Sequence, residues 1–369
     1  MINKKNLTVA QILPSLNSGG VEKGTIEIAN FLVKKKVKSI VISEGGRLVS
    51  DLKQNGSDHI LLNVGTKNPL VIFCLPKLIK IILEKKIDII HARSRLPAWI
   101  SFIALKFIKK NKRPFFVTTV HGFNSISFYS SIMTKGDKVI AVSNSIKNFI
   151  LNNYNVDKKK ITVIHRGLPK NFKVDISESD YKSWKKLFFS SFPILKNKKI
   201  LLFPSRISRN KGLEDFIDLI KNLKKEKLNI IGLVVGEAKS ENYYDEIKSL
   251  IRRMNLTNDI IFLGYRSDIY RIITISKILY AIQRVPESFG RVVVEGIRLG
   301  TPVIGYNHGG VGEQLEKIFP NGLVNYADRD KLRKLTLEFI SKKQKIKKTN
   351  LFSLEEMCKK TLNLYKSFF

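Results

Sequence analysis

Glu287 and Glu295 stand eight residues apart in PESFGRVVVEG (286–296), a stretch whose glycine and valine content otherwise reads as interior. A buried carboxylate that loses its partner costs about 3–5 kcal/mol, so each must meet a donor. Sugar hydroxyls supply donors at well-defined spacing; the competing reading is two structural carboxylates capping one helix. Arg206 and Lys211 lie in PSRISRNKGLEDF (204–216), where a strand passes through a loop into a helix and Gly212 allows a tight entry. Two cations there suit a diphosphate, holding its charge without a metal. A solvated basic loop would look the same. Gly19 and Gly20 end SLNSGG (15–20), before a helix whose N-terminus offers free N–H groups to an anion. The full G-x-G-x-x-G pattern of a dinucleotide site is absent, and a plain tight turn remains open. ADRD (327–330) contains D-x-D, but the pattern around it reads Asp330 as a helix N-cap, with no metal implied.

Elements must carry these residues. Short β-branched runs at 7–13, 38–43, 87–92, 115–122 and 138–143 alternate with helical patterns, which predicts βαβ units in a buried parallel sheet. ITVIHRGLP (161–169) and a polar, aromatic stretch interrupt the alternation, which restarts with strands at 199–206, 229–237, 259–265, 277–283 and 301–307. The expected fold class is α/β, with two doubly wound, Rossmann-like domains. The expected division is 1–168 and 169–352, with an amphipathic C-terminal helix, 353–369, packing back on the first domain. In open parallel sheets ligands bind beyond the carboxyl ends of the strands, where strand order reverses. Two such sheets facing each other would enclose a cleft.

Composition bounds the rest. The 369 residues are enough for two cores. There are 66 Lys and Arg against 31 Asp and Glu, for a net charge of +35. A bias towards Lys, Ile and Asn codons would raise glutamate too, so it does not explain the deficit of acids. Such a field suits an anionic partner: nucleic acid, membrane surface or phosphorylated substrate. Cys74 and Cys358 are far apart and in no C-x-x-C pattern, which reads as reduced, structural thiols in a cytoplasmic protein. The basic start has no apolar run of signal-peptide type, and the apolar runs near 70–83 and 96–108 fall short of the roughly 18 residues that span a bilayer.

Several motifs together resemble a known family: GGVEKG (19–24), TVHGF (119–123), VIAVS (139–143), SRISRNKG (205–212), FLGY (262–265), PESFGRVVVEG (286–296) and GGVGE (309–313). Over nearly the whole chain it looks like a family-four retaining glycosyltransferase of the GT-B fold, similar to lipopolysaccharide core and other bacterial envelope glycosyltransferases. The E-x7-E signature with PESFG is the specific part. The resemblance implies that Glu287 contacts hydroxyls of the donor sugar and that the N–H groups of Phe289 and Gly290 point into the same pocket. Glu295 would bind the ribose hydroxyls. Arg206 and Lys211 would hold the diphosphate and stabilise it as it leaves, and His121 would lie near the sugar. Gly19 and Gly20 would join the donor site. The donor is expected to be a UDP- or GDP-sugar, a substrate rather than a cofactor; no cofactor and no metal are implied. Arg93 and Arg95, in HARSRLPAW (91–99), are candidates for binding an anionic acceptor, an envelope glycan or lipid-linked sugar; a solvated turn is the alternative.

Residues 1–170 carry 29 Lys and Arg against 9 Asp and Glu, a denser excess than in the remainder. AWISFIALKFIKKNKR (98–113) has an apolar body and a basic end, and FNSISFYSS (123–131) puts aromatics on an expected loop. Together these resemble a face that docks on the anionic cytoplasmic side of the inner membrane; a core helix with a solvated end is the alternative. Two other functions stay open: a nucleotide-sugar 2-epimerase on the same fold, disfavoured by the transferase form of the E-x7-E stretch, and a basic nucleic-acid-binding protein. The latter is disfavoured because no zinc finger, RRM signature or helix-turn-helix pattern is visible, so no nucleic-acid partner is expected.

Overall fold

A computed structural model of the chain describes residues 7–17, 19–66, 69–170, 172, 174, 177–347 and 349–369. Ser18 of the SLNSGG turn and the basic start at 1–6 lie outside the described residues. Two compact units are formed, one from 1–167 joined by 352–369, the other from 168–351.

The first unit is built on a seven-stranded parallel sheet. Its strands are β1 (Thr8–Ile12), β2 (Lys38–Ser43), β3 (Asp58–Leu61), β4 (Ile89–Ala92), β5 (Phe115–Val120), β6 (Lys138–Ala141) and β7 (Ile161–Val163), in the order β3-β2-β1-β4-β5-β6-β7. Val9 of β1 registers with Ser39 on one side and with Ile89 on the other, so strand order reverses at β1 and β4. Every residue of β1 is buried, which is why these strands read as continuous apolar runs. The C-terminal helix Leu354–Lys366 packs on the Gly20–Lys34 helix of the same unit, and its Met357, Cys358, Leu362 and Tyr365 share a core with Val9, Ile28, Ile89 and Val117.

The second unit repeats the plan with six parallel strands: β8 (Lys199–Phe203), β9 (Ile230–Val234), β10 (Ile260–Phe262), β11 (Ile278–Ala281), β12 (Val303–Tyr306) and β13 (Leu323–Val324), in the order β10-β9-β8-β11-β12-β13. Here the order reverses at β8 and β11. Together the two sheets are the GT-B fold.

Three local expectations are corrected, and the helix of the E-x7-E stretch gains its bounds. Asp328, not Asp330, caps the Arg329–Ser341 helix: its carboxylate accepts from the Lys331 backbone N–H at 2.8 Å, and Asp330 falls inside the first turn. The helix after PESFG runs Arg291–Arg298 and starts from Gly290, which adopts the left-handed conformation. The FNSISFYSS stretch is not all loop: Phe128–Ser131 forms one helical turn, capped by the Ser127 hydroxyl. The apolar body of the 98–113 stretch does not form a docking face. It belongs to the Arg95–Lys106 helix and the turn after it, and Ala98, Ile100, Ala104, Leu105 and Ile108 are buried in the core. Lys106, Phe107 and residues 109–113 stand clear. Among the described residues no helix is long and apolar enough to cross a membrane.

Candidate functional site

In the 168–351 unit the chemistry-bearing residues gather on the loops that leave β8, β11 and β12. After β8 the chain makes a short turn at Arg209–Lys211 and enters the Leu213–Lys224 helix through Gly212. Gly212 has φ +78°, and a Cβ there would lie 2.0 Å from the Ile282 carbonyl oxygen, so only glycine allows the two loops to touch. The contact is completed by the Arg284 N–H, which donates to the Asn210 carbonyl at 3.0 Å.

That contact brings Lys211 to Glu287. The Lys211 ammonium donates to Glu287 Oε1, and both side chains are about three-quarters buried, at 21% and 26% exposed. The Glu287 carbonyl accepts from the Gly310 N–H at 2.6 Å, which ties the PESFG loop to the glycine turn after β12. Phe289 is buried, and Gly290 (φ +70°) lies against Val311, where a Cβ would meet Cγ2 at 2.7 Å. Glu295, one helical turn on, accepts from Arg291 Nε at 2.8 Å and from the Tyr270 hydroxyl at 3.2 Å. Burial, then the Glu295 charge, pushes the Tyr270 phenol up, so it stays a donor. Both carboxylates therefore have protein donors, and the demand for hydroxyl donors that the sequence suggested is already met within the unit. Arg206 stands exposed on the β8 loop.

His308 begins the helix after β12. Its Nε2 lies 2.7 Å from the Gln283 carbonyl, which only accepts, so the proton sits on Nε2. The ring stacks on Tyr326 at 5.0 Å. Burial lowers its pKa, opposed by the Gln283 carbonyl and the Glu287 charge. Behind this surface Asp215, itself buried, accepts from Arg284, Arg329 and Tyr306 and holds the root of the β11 loop. Asp215, Tyr270 and His308 were not singled out from sequence, because their partners lie 25 to 114 positions away.

The 1–167 unit has its own cluster. Gly19 and Gly20 open the helix after β1, and the Gly20 carbonyl accepts from Arg166 Nη2. Arg93 follows β4 and is 3% exposed, with no partner for its Nε. His121 follows β5; both ring nitrogens are buried and unpartnered. The two guanidiniums lie over Gly24, where a Cβ would sit 2.7 Å from Arg166 Nη2 and 3.2 Å from Arg93 Nη2. Burial first, then the Arg166 charge, pulls Arg93 down to about 10. Burial, then Arg93 and Arg166, holds His121 well below the ordinary imidazole value, so it is neutral at physiological pH. Arg95 is engaged elsewhere: it donates to the Ser130 hydroxyl at 3.0 Å and its guanidinium covers the Tyr129 ring at 5.1 Å. Neither arginine is on a solvated turn, and Arg166, which sequence reasoning passed over, joins Arg93 where Arg95 does not.

Two doubly wound parallel sheets are what this chain shares with solved glycosyltransferases of the GT-B fold. The family model Glycosyltransferase Family 4 matches residues 18–172, and Glycosyl transferases group 1 matches residues 185–350. A glycosyltransferase from Rickettsia africae is 34% identical, with 99% of each chain covered and a TM-score of 0.83. Anabaena Alr3699/HepE, solved in complex with UDP-glucose, is 21% identical over 98% of this chain and all of that one, at a TM-score of 0.78. Among curated relatives, the capsular polysaccharide biosynthesis glycosyltransferase CapM of Staphylococcus aureus is 25% identical over 82% of this chain and 80% of its own. An uncharacterised glycosyltransferase of Methanocaldococcus jannaschii, MJ1607, is 25% identical over 67% of this chain, and the match spans 63% of that relative's length. The chain belongs to the group 1 glycosyltransferases.

Proposed function

We propose that the protein is a retaining, metal-independent hexosyltransferase that takes a UDP- or GDP-sugar and extends an envelope glycan or lipid-linked acceptor at the cytoplasmic face of the inner membrane. The observation that carries this reading is the Lys211–Glu287 pair, held by the β8–β11 loop contact and flanked by Phe289, Gly290 and Glu295. Glu287 orients the donor sugar through its hydroxyls, beside the Phe289 and Gly290 N–H groups. Glu295, kept in one rotamer by Arg291 and Tyr270, takes the ribose hydroxyls. Lys211 and Arg206 receive the negative charge of the departing diphosphate, which is stabilisation by fixed charge rather than by covalent chemistry. The first unit takes the acceptor. CapM, named for capsular polysaccharide biosynthesis, supports a role in envelope polysaccharide, and HepE with UDP-glucose supports a nucleotide-sugar donor.

A thermal-shift screen of nucleotide sugars tests the proposal. The matching donor at about 100 times its dissociation constant stabilises by about 2.7 kcal/mol. Release of the nucleoside diphosphate should then continue in EDTA. Loss of turnover in EDTA, restored by magnesium or manganese, would remove the metal-independent account; no shift with any UDP- or GDP-sugar would remove the donor assignment.

A further inference from the structure

Arg93 is a guanidinium buried in the first unit with one of its donors, Nε, unused by the protein. It is 3% exposed, its Nε has no acceptor, and burial first, then the Arg166 charge, works against its own charge, opposed by Tyr365, Glu27 and Cys358. Losing the partner of a buried charge is among the costly events in a fold, so a cation left in this state marks a position that something else completes. His121, beside it, buries two unpartnered ring nitrogens. Arg166 approaches from the loop after β7, and Gly24 lacks the side chain that would keep the two guanidiniums from their common place. Arg93, His121, Arg166 and Thr119 line one cavity, whose remaining wall is mostly apolar.

Size decides what enters. The cavity holds about 20 Å³, room for one water-sized oxygen. Two guanidiniums and an imidazole around an oxygen-sized hole define an oxyanion subsite.

We propose that Arg93, Arg166 and His121 form a built subsite in the 1–167 unit for a phosphate or carboxylate carried by the acceptor, which places one terminal oxygen of that group in the cavity. The assignment rests on the glycosyltransferase reading and narrows its acceptor to a molecule with an anionic group. Arg93 and Arg166 supply charged N–H donors to that oxygen. Neutral His121 supplies one N–H donor whichever tautomer it holds. Arg95, occupied with Ser130 and Tyr129, takes no part.

Calorimetry on the full chain, with the donor site filled by saturating UDP, tests this. The probes are glucose 1-phosphate, glucuronate and the neutral methyl glucoside. The two anionic probes should bind and the methyl glucoside should not at the same concentration. Arg93→Met should weaken glucose 1-phosphate at least tenfold and leave UDP affinity within twofold. Arg166→Gln should weaken the same probe at least fivefold and stands in if the first variant does not fold. Equal binding of charged and neutral probes, or wild-type binding by both variants, would overturn the proposal. So would displacement of the probe by UDP, which would give the cavity to the donor, or binding of inorganic phosphate with neither sugar-borne anion. Failure of UDP itself to bind would instead strike the donor assignment, so the two failures are distinguishable.

Discussion

Glu287 and Glu295 are each tied to a cation, yet the ties differ in what they leave to a ligand. Glu287 shares its cationic neighbour with the proposed diphosphate: Lys211, on the turn after β8, donates to the carboxylate. Glu287→Ala should therefore lower turnover by roughly 100-fold or more, the scale seen when a preorganised electrostatic contact is removed. Nucleoside diphosphate affinity should hold steady or rise slightly, because Lys211 is freed to meet the phosphates. Calorimetry with UDP and GDP beside steady-state turnover separates the two effects, and an affinity loss as large as the rate loss would refute the role given to Glu287. Glu295→Ala should act in reverse. It removes charge-assisted hydrogen bonds of about 1.5–3 kcal/mol, so nucleotide affinity should fall about 10- to 100-fold while the rate at saturation changes less. Arg291→Lys should give a milder version of that loss, since it keeps the charge but not the Nε contact to Glu295.

At the scale of elements, the C-terminal helix is stitched to the first sheet by a buried polar line. The Tyr365 hydroxyl lies 2.6 Å from His91 Nδ1, and His91 Nε2 lies 2.6 Å from the Thr119 hydroxyl, so β4, β5 and the Leu354–Lys366 helix share one hydrogen-bonded chain. Tyr365→Phe would leave a buried imidazole nitrogen unsatisfied and should cost about 1–3 kcal/mol in urea unfolding. The same groups set an acid limit. Burial holds His91 and His121 well below the ordinary value, so both are neutral in the fold and take up protons only on unfolding. Below the unfolded pKa of about 6.5 the unfolded chain binds more protons, hence stability falls as pH drops through that value and on towards the depressed native values. Unfolding at pH 7.5 and 5.5 should show the decline, and His121→Gln should make it smaller; an unchanged slope would mean that His121 is not held neutral. This helix's amphipathic pattern was legible, but its partner 274 positions away was not. The buried strands read clearly where β-branched and other apolar residues cluster, as in KILLF (199–203) and KSIVIS (38–43). β3, exposed at both ends, and β13, two residues long, carry too little pattern to announce themselves. The site was legible where one local motif holds both residues, as in PESFGRVVVEG, and not where the pairing is distant, as with Arg93 and Arg166 or Arg284 and Asp215.

For the whole molecule the dominant quantity is charge. The net value is +35, and the excess is denser in residues 1–170, the part that the proposal assigns to the acceptor. The fold changes which surface can use that charge. The body of the Arg95–Lys106 helix is core, and by helix geometry its ends lie about 18 Å apart, so the exposed Phe128 near its start and the cations after its end are separate features. The basic end keeps its own apolar residue: Phe107 is 72% exposed, beside Lys106, Lys109, Lys110, Lys112 and Arg113. Each cation near an anionic leaflet contributes about 1 kcal/mol, and one phenylalanine adds an interfacial contact, so a group of five is enough for reversible attachment. The purified protein should therefore pellet with vesicles containing anionic lipid and only weakly with neutral ones, and added salt should release it, since exposed charges are screened beyond about 8 Å at physiological ionic strength. Reversal of Lys109, Lys110 and Lys112 to Glu should abolish pelleting while the donor-induced thermal shift stays unchanged, because none of the three belongs to the donor residues. Transfer to a soluble acceptor analogue should persist in that variant, and transfer to an acceptor embedded in vesicles should fall. Equal pelleting with neutral and anionic vesicles, or no change on reversal, would detach the positive charge from the membrane and leave it to the acceptor's own anionic group.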